Sequence, residues 1–196
     1  MMKPTRLAAV LLAVFLASCA SYTLVGPGRT ALDGGMSVEP GVAWNRASSR
    51  LQGGATERWT MDGPLLDSLT ILDGVGDGTP LALLAVGAAG KAAPFRSTMT
   101  ASDVMELVEA SLSGGAHTAV VTTRDLRPVK LGAVDGFRFE GSYIAADAPE
   151  MAFSAVGAVR GGKLYLLFYR AARIYYFNAH LADFDRLVGS VRLSAG

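Results

Sequence analysis

The sequence predicts an α+β domain built on an antiparallel sheet with helices on both faces. Three observations carry that prediction. Short alternating segments follow one another without an intervening helix, which excludes a doubly wound parallel sheet. Gly161-Gly162 separates two apolar runs, the signature of a two-residue β-hairpin. Only two stretches, after Thr100 and after Tyr176, carry apolar residues at helical spacing.

Taken in order, residues 1–18 read as a bacterial lipoprotein signal. A basic start (Lys3, Arg6) leads into an apolar run, Leu7 to Ala17, that is shorter than the ~20 residues a spanning helix needs. It closes on Leu16-Ala17-Ser18-Cys19, with small residues just before the only cysteine of the chain. The peptidase needs small side chains there, and the lipidation enzyme needs a thiol at the membrane surface. Cys19 is therefore the expected lipidation site, carrying a diacylglyceryl thioether and an N-acyl chain. Several acyl chains hold a protein stably where one does not. Ala20, rather than Asp, in the second mature position leads us to expect the periplasmic leaflet of the outer membrane. An ordinary secretory signal that happens to contain a cysteine is the competing reading.

Residues 19–35 are poor in large apolar side chains and rich in Gly, Pro, Ser and Thr, as in a flexible tether. Residues 36–196 form the expected single domain. Met36–Glu39, Ala43–Arg46 and Glu57–Met61 are short strands, and Leu66–Leu72 is a longer one. Gly74–Phe95 is rich in Gly and Ala and reads mostly as a mobile loop, with Leu81–Val86 as a possible strand. Thr100 and Asp103 stand at capping-box spacing, with Asp in place of Glu. Val104, Leu107, Val108 and Leu112 then form one helical stripe ending at Gly114-Gly115. His117–Lys130, interrupted near Pro128, and Gly136–Ile144 alternate as strands. Met151–Arg160 and Lys163–Ala171 form the hairpin. Phe177, Leu181, Phe184, Leu187, Val188 and Val191 share the face of a last helix.

Composition narrows the function. The chain has 18 Lys+Arg and 17 Asp+Glu; removing Lys3 and Arg6 with the signal leaves about −1, with no basic stripe to invite nucleic acid. With Cys19 acylated no disulfide can form, so stability rests on packing. Half the residues are hydrophobic (51%), enough for a core.

Motifs for catalysis are weak. Ser113 sits at a helix end and not in G-x-S-x-G. His180 shares a helical face with Asp183 and could begin a metal site or serve a hydrolase, but only His117 remains as a second nitrogen donor, and such pairs are ordinary on exposed helices. Asp73-Gly74-Val75-Gly76-Asp77-Gly78 lacks the middle acid and the distal Glu of a calcium loop. Asp147 and Glu150 flank Pro149 as turn residues. We therefore expect no catalytic, cofactor or metal site. Tyr165, Tyr169, Arg170, Arg173 and Tyr176 crowd the last hairpin and its junction to the helix, and Arg with Tyr suits a partner or ligand surface. Tyr165 and Tyr169 point to one sheet face, and Leu164, Leu166 and Phe168 to the other, so both faces should be covered. Trp44 and Trp59 are expected mostly in the core.

Gly136-Phe137-Arg138-Phe139, the arm Gly162-Lys163-Leu164-Tyr165, the terminal Ser190-Val191-Arg192-Leu193 and the opening Met36-Ser37-Val38-Glu39-Pro40 resemble the PsbP-like α/β/α sandwich. From Met36 to Leu193, including Trp59-Thr60-Met61-Asp62-Gly63 and Pro94-Phe95-Arg96, the chain also resembles uncharacterised proteobacterial envelope proteins. The resemblance implies the fold and a non-catalytic accessory or adaptor role with an envelope protein partner. It transfers no site residue. A binder of a small or lipidic molecule, using space beneath the Gly74–Phe95 loop, is the alternative.

Overall fold

A computed structural model of the chain describes residues 22–48, 56–84, 93–113, 118–145 and 149–194. Cys19, His117 and Asp147 lie outside the described residues. Eleven strands and two helices appear among them: β1 (Tyr22–Val25), β2 (Thr30–Ala31), β3 (Met36–Val38), β4 (Trp44–Ala47), β5 (Thr56–Thr60), β6 (Asp67–Val75), α1 (Ala101–Ser113), β7 (Thr118–Leu131), β8 (Val134–Ala145), β9 (Met151–Arg160), β10 (Lys163–Ala172), α2 (Tyr176–Gly189) and β11 (Arg192–Leu193). Eight strands form one sheet in the order β1-β4-β5-β6-β10-β9-β8-β7, and β11-β3-β2 form a small second sheet. Every pairing is antiparallel.

Local chemistry accounts for the elements. Gly161 and Gly162 both have positive φ (57° and 76°), which a two-residue turn of this hand requires, and Lys163 pairs with Arg160 across it. At the start of α1 the Thr100 amide donates to Asp103 Oδ2 (2.7 Å), and the Asp103 amide donates back to Thr100 Oγ1 (3.3 Å). The shorter Asp thus closes the reciprocal cap that Glu usually makes. Pro128 is tolerated in β7 because β7 is an edge strand, and the ladder there slips between Arg124 and Arg127, where Asp125 takes a φ of 57°.

The domain is α+β but sheet-dominated, and this corrects the expectation of a helical layer on each face. One helix reaches each side. On the first face, Val104, Leu107, Val108 and Leu112 of α1 pack with Phe137, Phe139, Phe153 and Phe168. On the second, Phe184 and Leu187 of α2 pack with Trp44, Trp59, Leu167 and Tyr169. A single helix is about 10 Å wide, too narrow for eight strands, so other segments complete each cover. Leu81, Leu83 and Phe95 complete the first, and Met36, Val38 and Val191, in and beside the small sheet, complete the second.

Two further expectations change. The segment 19–35 is not a tether throughout, because Tyr22–Val25 pairs along β4 and Thr30–Ala31 pairs with β3. Its polar composition concealed strands whose stability comes from a neighbouring ladder. Leu81–Leu84, the described part of the possible strand, joins no sheet. Its alternation is real, with Leu81 (4% exposed) and Leu83 (1%) buried, but it faces the sheet as a flat cover rather than pairing at an edge. The described parts of the Gly74–Phe95 loop are tied down: the Gly78 amide donates to Phe95 O (2.9 Å) and the Phe95 amide to Thr79 O (3.0 Å).

Candidate functional site

Three polar or exposed constellations among the described residues bear on the residues singled out from the sequence. The first lies on the α1 face of the sheet. Arg58 of β5 stands opposite Thr70 of β6, and Arg170 of β10 opposite Ser68 of β6, so the two arginines sit diagonally across one strand. The Arg58 guanidinium donates to Ala82 O (2.7 Å), Leu83 O (2.9 Å), Leu84 O and Thr70 Oγ1 (3.2 Å). Burial, and then the nearby Arg170, lower its pKa to about 10. No carboxylate faces it among the described residues. Its countercharge is replaced by three consecutive carbonyl dipoles, and in return it fastens the 82–84 segment to the sheet. Arg170 donates through Nε to Ser68 Oγ (2.8 Å), and through Nη1 to the Tyr143 hydroxyl.

The second constellation surrounds His180. Its Nε2 lies 2.6 Å from Asp62 Oδ2, and its Nδ1 3.8 Å from Asp183 Oδ2. Asp62 stands in the turn after β5, which buried Asp67 organises. That carboxylate accepts from the amides of Met61 (2.9 Å) and Asp62 (2.7 Å) and from Thr60 Oγ1 (2.9 Å). The site clips α2 to the β5–β6 turn. Among the described residues the imidazole's hydrogen-bond partner is the Asp62 carboxylate, and no group of three metal-ligating side chains occurs. In the glycine-rich stretch the two acids serve different partners: Asp73 accepts from the Gly34 and Met36 amides, and Asp77 from Ser97. Glu150 pairs with Arg173 (2.6 Å), whose hydrogen bond, with a further one from Ser142, holds its carboxyl below the usual range.

The third is an exposed apolar end of the sheet. The turn before β6 and the turn after β10 lie side by side, since the Ala172 amide donates to Leu66 O (2.9 Å). Leu65 (85% exposed), Ile174 (90%) and Tyr175 (66%) project from them into solvent. The sequence reading missed these three. Large apolar residues placed in turns, in Pro64-Leu65-Leu66 and Arg173-Ile174-Tyr175, were the available signal.

The five residues singled out from sequence are not gathered into one surface. Tyr169 is fully buried, stacked between Phe177 (5.5 Å) and Phe184 (5.3 Å). Its hydroxyl donates to Tyr176 O (3.0 Å), and burial, with the acids Asp67, Asp62 and Asp183, raises its pKa. Tyr165 is half-buried on the same face. Arg170 points to the opposite face, as the strand's two-residue period demands. Arg173 is exposed and Tyr176 half-buried, both beside the apolar end. Trp44 and Trp59 are core residues, with ring centroids 6.5 Å apart.

No family model and no curated protein matches the chain. Among solved structures the chain is similar to the cyanobacterial PsbP protein (CyanoP) from Synechocystis, known from its solution structure. The TM-score is 0.57 at 12% identity, over 90% of this chain and 95% of that one. At that identity the likeness shows the fold, and the fold is PsbP-like.

Proposed function

We propose that this chain is a non-catalytic accessory protein of the cell envelope, anchored by acyl chains on Cys19 and docking a protein partner at the Leu65–Ile174–Tyr175 end. The observation that carries the docking role is the exposure of those three apolar side chains on two neighbouring turns, with Arg173 and Tyr176 beside Ile174 and Tyr175 in the chain. Aromatic and Arg side chains around aliphatic anchors are the composition of binding hot spots. The lipobox Leu16-Ala17-Ser18-Cys19 supports the anchor, and Ala20 supports the periplasmic leaflet of the outer membrane. An adaptor role is what a PsbP-like domain leads one to expect.

A photo-crosslinking amino acid at position 174 in intact cells tests this. A discrete adduct that disappears when Leu65 is replaced by Asp supports the reading; position 174 giving no adduct, with a wild-type phenotype for Leu65→Asp, overturns it.

A second reading, binding of a small anionic or lipidic molecule, is favoured by Arg58 and Arg170, which share one face with no carboxylate partner among the described residues. Against it, Leu81, Leu83 and Phe95 already occupy the space beneath the loop. Native mass spectrometry of protein isolated from its own membrane separates the two: retained mass beyond the acyl chains supports the second.

A further inference from the structure

We propose that β1 is the membrane-facing edge of the domain, with Tyr22 and Leu24 seated in the boundary between lipid headgroups and acyl chains. This rests on the acyl anchor at Cys19 proposed above. Only Ala20 and Ser21 separate that residue from β1. Three residue steps reach at most about 11 Å when fully extended. The first strand of the sheet is thus held at the bilayer surface, and no long spacer intervenes to let the domain wander.

The chemistry of β1 suits that position. Among the described residues it is an outermost strand paired with β4 alone, so its other edge presents open amides and carbonyls. Edges left in water are usually guarded by charge or proline. Tyr22–Val25 carries neither; Pro27 follows the strand, and the first charge after it is Arg29, itself paired with Glu39 (2.8 Å). Tyr22 and Leu24 lie two apart and share one face of the strand, and Leu24 is 71% exposed. Tyr favours the headgroup level, where its ring is apolar and its hydroxyl wet. The hydrated headgroups can satisfy the open backbone edge while Leu24 reaches the acyl chains.

The strand direction fits as well. Val25 pairs with Trp44, and Asn45 with Thr60 at the end of β5, so β1 runs from the anchored side toward the end carrying Leu65 and Ile174. That end is left free for a partner.

The test uses the full, processed chain in vesicles of phosphatidylethanolamine and phosphatidylglycerol. An acylated Cys19 has no free thiol, so Leu24→Cys or Ile174→Cys introduces the only reactive one. Each is labelled with an environment-sensitive fluorophore. We expect one label per chain, with emission at position 24 shifted to the blue and quenched by lipids brominated in the upper acyl chain, and position 174 unshifted and unquenched. One label per chain with position 24 behaving like position 174 overturns the inference and leaves the anchor standing. So does ready disulfide-linked dimerisation of Leu24→Cys, which would assign the edge to a second copy of the chain. Two labels per chain show a free Cys19 and overturn the anchor, and this inference with it.

Discussion

Replacing Arg58 with Leu sets two large terms against each other. The guanidinium bonds to three consecutive carbonyls and to Thr70. If the 82–84 segment stayed in place without it, Ala82 O and Leu84 O would lose their donor at about 1–3 kcal/mol each, while Leu83 O would keep the Thr70 hydroxyl. The other response is to peel away and hydrate, which re-exposes Leu81 and Leu83 at about 1.5–3 kcal/mol apiece. Working the other way, the variant no longer buries a cation that lacks a carboxylate, a burial that costs several kcal/mol before compensation. The freed segment also regains backbone entropy. Either response costs about 2–6 kcal/mol, and the relief terms reduce that without cancelling it, because the carbonyls already compensate much of the cation's burial. The net loss should appear as a lower urea midpoint, with hydrogen-exchange protection of the Gly78 and Phe95 amides lost well below global unfolding. Arg58→Lys should not restore it, because an ammonium has three donors and no planar fork to span three carbonyls. Unchanged stability in Arg58→Leu, with protection of the Gly78 and Phe95 amides intact, would refute the claim that this side chain fastens the 82–84 segment.

Three other outcomes follow from the same structure. Tyr169→Phe should cost about 1 kcal/mol near neutral pH for the lost hydrogen bond to Tyr176 O. The raised pKa of Tyr169 means the folded state keeps a proton that the unfolded state releases above about pH 10, so wild-type stability falls as pH rises through that region. Arg58, lowered to about 10, acts in the opposite sense but is common to both proteins, so the wild-type-minus-variant difference in urea midpoint should shrink with rising pH; a constant difference would contradict the assignment. Gly34→Ala should severely destabilise the fold, since a Cβ there would lie 1.8 Å from Asp73 O, backbone that cannot retreat without breaking β6; thermal unfolding reads this. Asp67→Asn should cost about 2–3 kcal/mol, because an amide nitrogen replaces one oxygen facing the Met61 and Asp62 amides, and double-mutant analysis with His180→Ala should show coupling through the same turn.

Much of the fold was legible in the chain because its signals are local. The Gly161-Gly162 turn, the Thr100–Asp103 cap and the stripe from Val104 to Leu112 each depend on residues within a few positions of one another. The facing of Tyr165, Leu167 and Tyr169 opposite Leu164, Leu166 and Phe168 follows from strand periodicity alone, and every member is buried except Tyr165, which is half-buried. Residues 22–25 were not legible, because Tyr-Thr-Leu-Val forms a strand here by pairing with β4, twenty residues away. Leu81–Leu84 misled for a related reason: alternation reports which side is buried, and not whether the backbone partner is another strand or an arginine side chain.

Candidate sites divide along the same line. Composition and the order of residues led us to expect no basic nucleic-acid face and pointed to Cys19 as a lipidation candidate, since charge totals and a contiguous motif need no folding to be read. Whether Tyr169 is a contact or a core residue depended on α2 coming down upon it, and whether Leu65 meets Ile174 depended on two turns more than a hundred residues apart being brought level by the β6–β10 register. Apolar turn residues become a surface when the sheet sets them side by side, and an arginine becomes a latch when burial leaves it only carbonyls to bind. Both are consequences of long-range packing, for which neighbouring residues hold no record.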